Sequence, residues 1–408
     1  MQRMIRKTIL PNGLRIITEK TPYLRGAVAH LRFGIGSGLE PFRLWGVAHV
    51  LEHMVFKGTP TMDQVVFGNE IARLGCSTNA STGFESTTFE IDGPAETILQ
   101  GLDLFAALIA GFHVPAEEFD KEKDVIQEEW KMYRDDPSAW GEDLAYHSLL
   151  GNYAHPTIGT PESVDALTRR QVLEFSQAYY TPDNLVVGLV GNVEHEAVVE
   201  VLAKHFGGNA RKSQNLRVPP LSQIKSRHEE EECEQEQVFL GFRAPAIQRP
   251  DLPAFDTAMT IFGGDSWSRL FQRLRNELGL VYTVEGGYSG WQHVGTYMIY
   301  AGCQPSETDR VLAEILHEID RFQRDITEDE LLRSKAMLRA SLLMSSDQLG
   351  NKVQKLVDDE VLWGEWRPYE RDIADLEGVT REDALRLVHE VFHDTQMTRV
   401  TVGPYQPK

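Results

Sequence analysis

The most constraining feature of this chain is the run His49-Val50-Leu51-Glu52-His53, which places two imidazoles and a carboxylate within five residues. Residues three and four positions apart lie on the same face of an α-helix, so His49 and His53 can bind one metal ion. Glu52 would then lie close enough to act on a water molecule at that ion. The pattern predicts a metallopeptidase, and the alternative is a pair of hydrogen-bonded core histidines without a metal.

Residues on both sides of the run favour a helix. Pro41 is a suitable opening residue, and Lys57-Gly58-Thr59-Pro60 supplies a cation, a glycine and a proline in the order typical of a helix end. Since a catalytic zinc ion usually has three protein ligands and an open fourth position, the fold must bring one more ligand to this helix.

The third ligand is predicted on a second helix, over residues 115–136, which begins after a proline and ends at Asp135-Asp136-Pro137. Its inward stripe consists of residues three and four apart, namely Phe119, Glu122, Ile126, Glu129 and Tyr133. A buried carboxylate is costly unless it binds a metal or accepts hydrogen bonds. We therefore expect Glu129 to be the ligand and Glu122 to orient a ligand histidine, whereas Glu128 falls on the charged outer face.

The motif order resembles that of the inverted-zincin peptidases of the pitrilysin, insulysin and mitochondrial processing peptidase group. Glu129 follows His53 after 75 residues, and Glu122 lies seven residues before Glu129. The resemblance covers nearly the whole chain and is strongest to the short two-domain branch, which includes the processing peptidase β subunit and bacterial dimeric zinc peptidases. Further matching segments are residues 10–15, 46–59, 79–82, 155–156, 159–160, 268–271, 274–275 and 279–282.

This resemblance implies an α+β fold of two homologous α/β domains, each a mainly antiparallel sheet packed against helices. It also implies one Zn²⁺ per chain and peptide or unfolded polypeptide substrates. Arg275 and Tyr282 match a pair that holds substrate and stabilises the oxyanion. Residues Asn79, Ala80, Ser81 and Thr82 match an edge strand that binds the substrate backbone.

The chain predicts two domains joined by a connector. We expect an N-terminal zinc-binding domain at 1–210, a linker at 211–232 that includes the run Glu229-Glu230-Glu231-Glu232, and a C-terminal domain at 233–408. The halves look like diverged copies, because a helix ends at Leu74-Gly75 in one and at Leu278-Gly279 in the other. The second copy lacks the metal motif.

Composition narrows the functional class. The chain is 41% hydrophobic and 25% charged, which suits two globular cores, and its formal charge of -20 argues against nucleic acid as a partner. Neither a signal peptide nor a membrane span is apparent, and the three cysteines lack zinc spacing. We therefore expect a cytoplasmic protein with reduced cysteines and no membrane partner.

The predicted reaction is peptide-bond hydrolysis, with Glu52 as the base that takes a proton from water and passes it to the leaving amine. Because a chain of this length supplies half of the chamber found in long relatives, the resemblance implies a homodimer in which Arg275 and Tyr282 act at the partner's metal. Two alternatives stay open. The chain could be the catalytic subunit of a heterodimer with a metal-free partner, or a non-catalytic assembly subunit.

Overall fold

The protein is described from a computed structural model, which covers residues 4–393 and 397–405 and separates into two compact units. Unit 1 contains the described residues of Met1–Trp130, Pro156–Pro219 and Ser345–Trp366. Unit 2 contains the described residues of Lys131–His155, Pro220–Met344 and Arg367–Lys408. Each unit therefore includes a segment from the opposite half of the sequence.

The strands within the described residues form two large sheets and one short hairpin. The first sheet and the hairpin use β1 (Met4–Ile9), β2 (Arg15–Lys20), β3 (Gly26–Phe33), β4 (Gly58–Thr59), β5 (Met62–Asp63), β6 (Ser77–Thr82), β7 (Thr87–Pro94) and β8 (Leu185–Gly191). The second sheet uses β9 (Ser226–Glu230), β10 (Glu236–Ala244), β11 (Val281–Gly290), β12 (Gly295–Cys303) and β13 (Thr398–Gly403).

The helices are distributed along the whole chain. Those that begin in the first half are α1 (Val47–Val55), α2 (Gln64–Arg73), α3 (Ile98–Gly111), α4 (Ala116–Arg134), α5 (Pro137–Leu150), α6 (Pro161–Ala166), α7 (Arg169–Tyr179) and α8 (His195–Phe206). Those of the second half are α9 (Leu252–Gly263), α10 (Thr308–Arg324), α11 (Glu328–Ser345), α12 (Leu349–Trp363), α13 (Tyr369–Glu377) and α14 (Arg381–Val391), with a π-helical segment at Phe271–Glu277.

The sheet of unit 1 has the strand order β1-β2-β8-β3-β7-β6 and places β6 at one edge. Only β2 and β8 run parallel to each other among these neighbours, and the other pairs are antiparallel. Strand β8 is buried along its entire length, as its continuous apolar run predicts. A central, apolar β8 gives the sheet a core strand, while β6 stays available for further backbone pairing.

Helix α12 packs on the sheet of unit 1 although it comes from the end of the chain. Its Val353, Leu356 and Val357 form a buried cluster with Ile17, Val186 and Val190 of the sheet. Gly188 makes this contact possible, because a Cβ there would lie 2.5 Å from Val357 Cγ2. Unit 1 therefore needs a late segment of the chain to bury one face of its sheet.

The sheet of unit 2 has the order β11-β12-β10-β13-β9, and its five strands repeat the order of β6-β7-β3-β8-β2 in unit 1, with no counterpart of the edge strand β1 among the described residues. Its single parallel pair, β13 with β9, corresponds to β8 with β2. The glycines that end the preceding helical segments also correspond, since Gly75 has φ 68° and Gly279 has φ 62°. Both adopt the left-handed conformation that favours glycine. The predicted fold class, two related mainly antiparallel sheet domains, is confirmed.

Unit 2 also receives a helix from elsewhere, because α5 packs on β10 and β13. Leu144 and Ala145 of this helix are buried with Phe239 and Val400 of the sheet. The compact units therefore differ from the predicted contiguous domains 1–210 and 233–408. Amphipathic patterns predict that α5 and α12 have buried faces, but they do not specify which sheet each helix covers.

The linker predicted at 211–232 also differs from the structure, because its end forms strand β9. Glu229 and Glu231 of the charged run contact residues of unit 2 that are distant in sequence. Arg134 contacts Glu229 at 3.1 Å and Glu231 at 2.7 Å, and Trp140 Nε1 donates to Glu229 at 3.1 Å. The contacts of Arg134 and Trp140 with Glu229 allow this acidic residue to lie in strand β9.

Within residues 4–393 and 397–405, no single helix combines the length and apolar character needed to cross a membrane. Joined together, α3 and α4 reach that length and composition, but they are bent by 101°.

Candidate metal centre

Helix α1 carries the His49 to His53 motif and is buried at eight of its nine residues. It begins at Val47, after Gly46 with φ 89°, and a Cβ at Gly46 would lie 2.9 Å from the Ile158 carbonyl oxygen. The expected start near Pro41 is therefore corrected, since Pro41 instead precedes a separate 3₁₀ turn at Phe42–Leu44. Glycine is required where α1 begins.

The carboxylate of Glu40 caps α1 and was missed by the sequence analysis. It accepts hydrogen bonds from the backbone N–H groups of Gly46 at 2.8 Å and Ala48 at 2.6 Å. Burial raises the pKa of Glu40 well above its ordinary value, while the two backbone bonds favour the charged form. These bonds satisfy orphan donors at the helix N-terminus and fix where the motif helix starts. The sequence offers a weak signal, an acidic residue shortly before a metal-motif helix.

His49, His53 and Glu129 converge in unit 1. Their ligand atoms lie within 4.8 Å of one another, and among the described residues they are the one His, Cys, Asp and Glu group with such a spacing. Glu129 Oε1 lies 3.8 Å from His49 Nε2, and Glu129 Oε2 lies 3.7 Å from His53 Nε2. The structure brings together the three residues that the sequence predicted as ligands.

The donor set fits a zinc ion, because two imidazole nitrogens and one carboxylate oxygen are common ligands of catalytic zinc. Burial, followed by the neighbouring His53, lowers the pKa of His49 to about 3. His49 is therefore neutral at physiological pH and has a lone pair to donate, as metal binding requires. Glu129 has 39% of its side chain exposed, so the site opens to solvent on that side.

Glu122 lies behind His53. Its Oε1 is 2.8 Å from His53 Nδ1, and its Oε2 is 2.5 Å from Lys57 Nζ. Burial alone would lower the pKa of His53, but Glu122 and Glu129 offset this and raise it. The Glu122 contact occupies Nδ1 and leaves Nε2 toward Glu129, which selects one tautomer for a ligand imidazole. Sequence reasoning had assigned Lys57 only to the helix end.

Glu52 lies on the same helix and is 9% exposed. The Thr82 hydroxyl donates a hydrogen bond to Glu52 Oε2 at 2.5 Å. Burial raises the pKa of Glu52, and the bond from Thr82 acts in the opposite direction. A carboxylate whose pKa is raised in this way is better suited to accept and release a proton near neutral pH.

The predicted substrate-binding segment lies in β6, at the edge of the sheet. Asn79 and Ser81 are exposed, whereas Ala80 and Thr82 are half-buried. Within the described part of the chain, β7 is the one strand paired with β6. An edge strand with one unpaired side can add the backbone of an extended peptide.

Arg275 and Tyr282 lie next to each other in unit 2. The Arg275 guanidinium lies 4.8 Å from the centre of the Tyr282 ring and donates a hydrogen bond to the Tyr282 carbonyl oxygen. The Tyr282 side chain is 71% exposed. Its phenol therefore faces solvent, supported by a cation at its ring.

Sequence comparison identifies the family to which this fold and this site correspond. Residues 15–157 match the family described as Insulinase (Peptidase family M16), and residues 166–338 match the Peptidase M16 inactive domain. An uncharacterized zinc protease of Mycobacterium leprae is 30% identical over 98% of this chain and 92% of its own length. The chain therefore belongs to the M16, or pitrilysin, peptidase family in its short two-domain form, as the motif order predicted.

Other similar proteins match this chain over most of their length. An uncharacterized zinc protease of Streptomyces coelicolor is 31% identical and covers 99% of this chain and 90% of its own. The crystal structure of a protease from Helicobacter pylori matches with a TM-score of 0.91 at 23% identity, over 99% of this chain and 100% of that one. A Pseudomonas fluorescens structure described as a peptidase M16 inactive domain matches with a TM-score of 0.90 at 19% sequence identity. The match covers 99% of this chain and 100% of that one. These structures support the fold alone.

Proposed function

We propose that this protein is a zinc-dependent endopeptidase or oligopeptidase that hydrolyses peptide bonds in peptides or unfolded polypeptides. The observation that carries this proposal is the convergence of His49, His53 and Glu129, with Glu52 on the same helix. A zinc ion bound there would polarise the scissile carbonyl and make water more acidic. The names of the relatives, which call them zinc proteases, support the same activity.

Side chains of unit 1 supply the proton transfers, the orientation of a ligand histidine and the binding of the substrate backbone. Glu52 takes a proton from the attacking water and delivers it to the leaving amine, because its carboxylate is buried beside the ligands and has a raised pKa. Glu122 holds His53 in the orientation and tautomer that presents Nε2. Asn79, Ala80, Ser81 and Thr82 of β6 bind the substrate backbone, and this mode tolerates varied side chains.

We further propose that two copies complete the active site. The Arg275 guanidinium lies 4.8 Å from the ring centre of Tyr282 and 5.3 Å from that of Phe271. The exposed phenol of Tyr282 can donate a hydrogen bond to an oxyanion. In the homodimer, Tyr282 of the partner subunit would donate this bond, and Arg275 of the partner subunit would support that ring. Mass measurement of the purified protein tests this assembly. An inactive monomer whose activity returns with a different, metal-free chain would favour the heterodimer instead.

The test of the catalytic proposal is cleavage of a mixed peptide library, read by mass spectrometry, by the wild type and Glu52→Gln. We expect the variant to retain zinc and to lose at least about 100-fold in cleavage rate, because a general base contributes about 10² to 10⁴. Glu117→Gln, an exposed carboxylate on α4, is the matched control and should cleave normally. Equal cleavage by the wild type and Glu52→Gln would refute the role of Glu52. Absence of zinc from the purified wild type after loading would favour the assembly-subunit alternative.

A further inference from the structure

We infer that Thr82 is a positioning residue for the general base: its hydroxyl holds one oxygen of the Glu52 carboxylate and leaves the other to exchange protons with water. This inference rests on the proposed function and adds to it a side-chain role separate from backbone pairing. The direct observation is the hydrogen bond of 2.5 Å from Thr82 Oγ1 to Glu52 Oε2.

Glu52 has few other constraints. Among the described residues, Thr82 is the one side chain that donates a hydrogen bond to its carboxylate. The nearest ligand histidine, His53, is already paired through Nδ1 with Glu122, and Lys57 is paired with the same carboxylate. A glutamate side chain has three rotatable bonds, so without Thr82 its carboxylate would sample several orientations beside the ligands. Hydrogen bonds to a charged acceptor are strong enough to select one of them.

Thr82 itself is firmly held. It is the last residue of β6, and its backbone pairs with Thr87 of β7. Thr87 is fully buried, and its hydroxyl donates to the Ile35 carbonyl oxygen at 3.0 Å. The turn between the strands is closed by the Gly83 N–H, which donates to the Ser86 carbonyl oxygen at 2.8 Å. Because threonine is β-branched and has a stiff χ1 angle, its hydroxyl position follows from this backbone.

The pleat of β6 separates the two roles of the strand. Ser77, Asn79 and Ser81 are exposed on one face, whereas Thr78, Ala80 and Thr82 are half-buried on the other. The Thr82 hydroxyl therefore acts on the inner face, toward α1, while the free backbone edge is the part that would pair with a peptide. Thr78 has the same chemistry and the same face but no hydrogen bond to Glu52, so it serves as a matched control.

The experiment compares steady-state cleavage of one defined peptide by four full-length proteins loaded with zinc. These are the wild type, Thr82→Val, Thr82→Ser and Thr78→Val. We expect Thr82→Val to lower kcat about 10-fold with KM within about twofold, because a misplaced base loses part of the contribution of about 10² to 10⁴ that a general base makes. Thr82→Ser, which keeps the hydroxyl, should recover most of the loss, and Thr78→Val should match the wild type.

Two further measurements separate positioning from damage to the fold. Zinc affinity from competition with a chelator and the unfolding temperature should agree between Thr82→Val and the wild type. Thr82→Ala supplies a second hydroxyl-free variant if the valine form does not fold. An unchanged kcat in Thr82→Val, or a rise in KM alone, would overturn the positioning role. Absence of cleavage by the wild type would instead remove the proposed function, and the positioning role with it.

Discussion

Replacing Glu122 by glutamine tests how the candidate metal centre is built, independently of catalysis. Glu122 accepts from His53 Nδ1 at 2.8 Å and contacts Lys57 Nζ at 2.5 Å. Burial raises the pKa of Glu122, but the hydrogen bonds from His53 and Lys57 outweigh burial and lower it, so the carboxylate is charged at neutral pH. Glutamine keeps the size of the side chain and one carbonyl acceptor. The substitution removes the negative charge and places an N–H₂ group, which cannot accept a hydrogen bond, against either His53 Nδ1 or Lys57 Nζ.

The expected magnitude follows from those contacts. Partners of metal-binding histidines typically change metal affinity 10- to 100-fold when mutated, which corresponds to about 1.4 to 2.7 kcal/mol. Because both oxygens of Glu122 are engaged and the residue is 6% exposed, we expect the upper half of this range, about 30- to 100-fold weaker zinc binding.

Competition with a chromogenic chelator measures this affinity directly, at fixed pH, in wild type and Glu122→Gln. Glu117→Gln on the same helix changes the same charge at an exposed position and should bind zinc like the wild type. An affinity within about twofold of the wild type for Glu122→Gln would refute the argument that Glu122 prepares His53 for a metal.

Two further predictions concern the stability of each unit. Burial and the neighbouring Glu142 raise the pKa of Asp143 to about 7 in the folded protein, whereas this carboxyl ionises at about pH 4 in the unfolded chain. The free energy of unfolding that Asp143 contributes is therefore fully present below about pH 4 and is lost as the pH rises to about 7. Asp143→Asn should therefore raise the free energy of unfolding by about 2 kcal/mol at pH 8 and by almost nothing at pH 4, measured with urea; equal gains at both values would contradict this. In unit 1, Lys352 Nζ lies 3.1 Å from Glu19 Oε1 and both side chains are 4% exposed. Lys352→Met should cost about 3 kcal/mol, and adding Glu19→Gln should recover part of that cost, whereas additive losses in the double-mutant cycle would count against a coupled pair.

The sequence predicted the parts of the site that depend on local spacing. His49, Glu52 and His53 share a helix face because of their separation alone, and the carboxylates of α4 stand out because Phe119 and Ile126 around them are apolar. Phe119, Glu122 and Ile126 are buried as expected, while Tyr133 at the end of the stripe is 37% exposed. Tyr133 lies one residue before the end of α4, where helical periodicity is a poor guide to burial, so the pattern overestimated the burial of this side chain.

Features that depend on distant partners could not be predicted in the same way. The start of α1 is fixed by the Glu40 carboxylate and by the space available at Gly46, neither of which follows from helix propensity. From the sequence alone, the acidic run near Glu229 is predicted to be a solvated connector. In the structure it pairs with Arg134, which lies about 95 positions earlier in the chain. Both cases involve charges whose partners are far away in the sequence.

The late origin of α12 has a consequence for synthesis of the protein. The sheet of unit 1 is complete in sequence at Gly191, yet the helix that covers Ile17, Val186 and Val190 ends at Trp363. At about 5 to 20 residues per second, a ribosome takes about 10 to 30 seconds to make the intervening chain. During that interval the apolar surface of the sheet lacks its covering helix, and we expect this exposed surface to make the nascent polypeptide prone to aggregation.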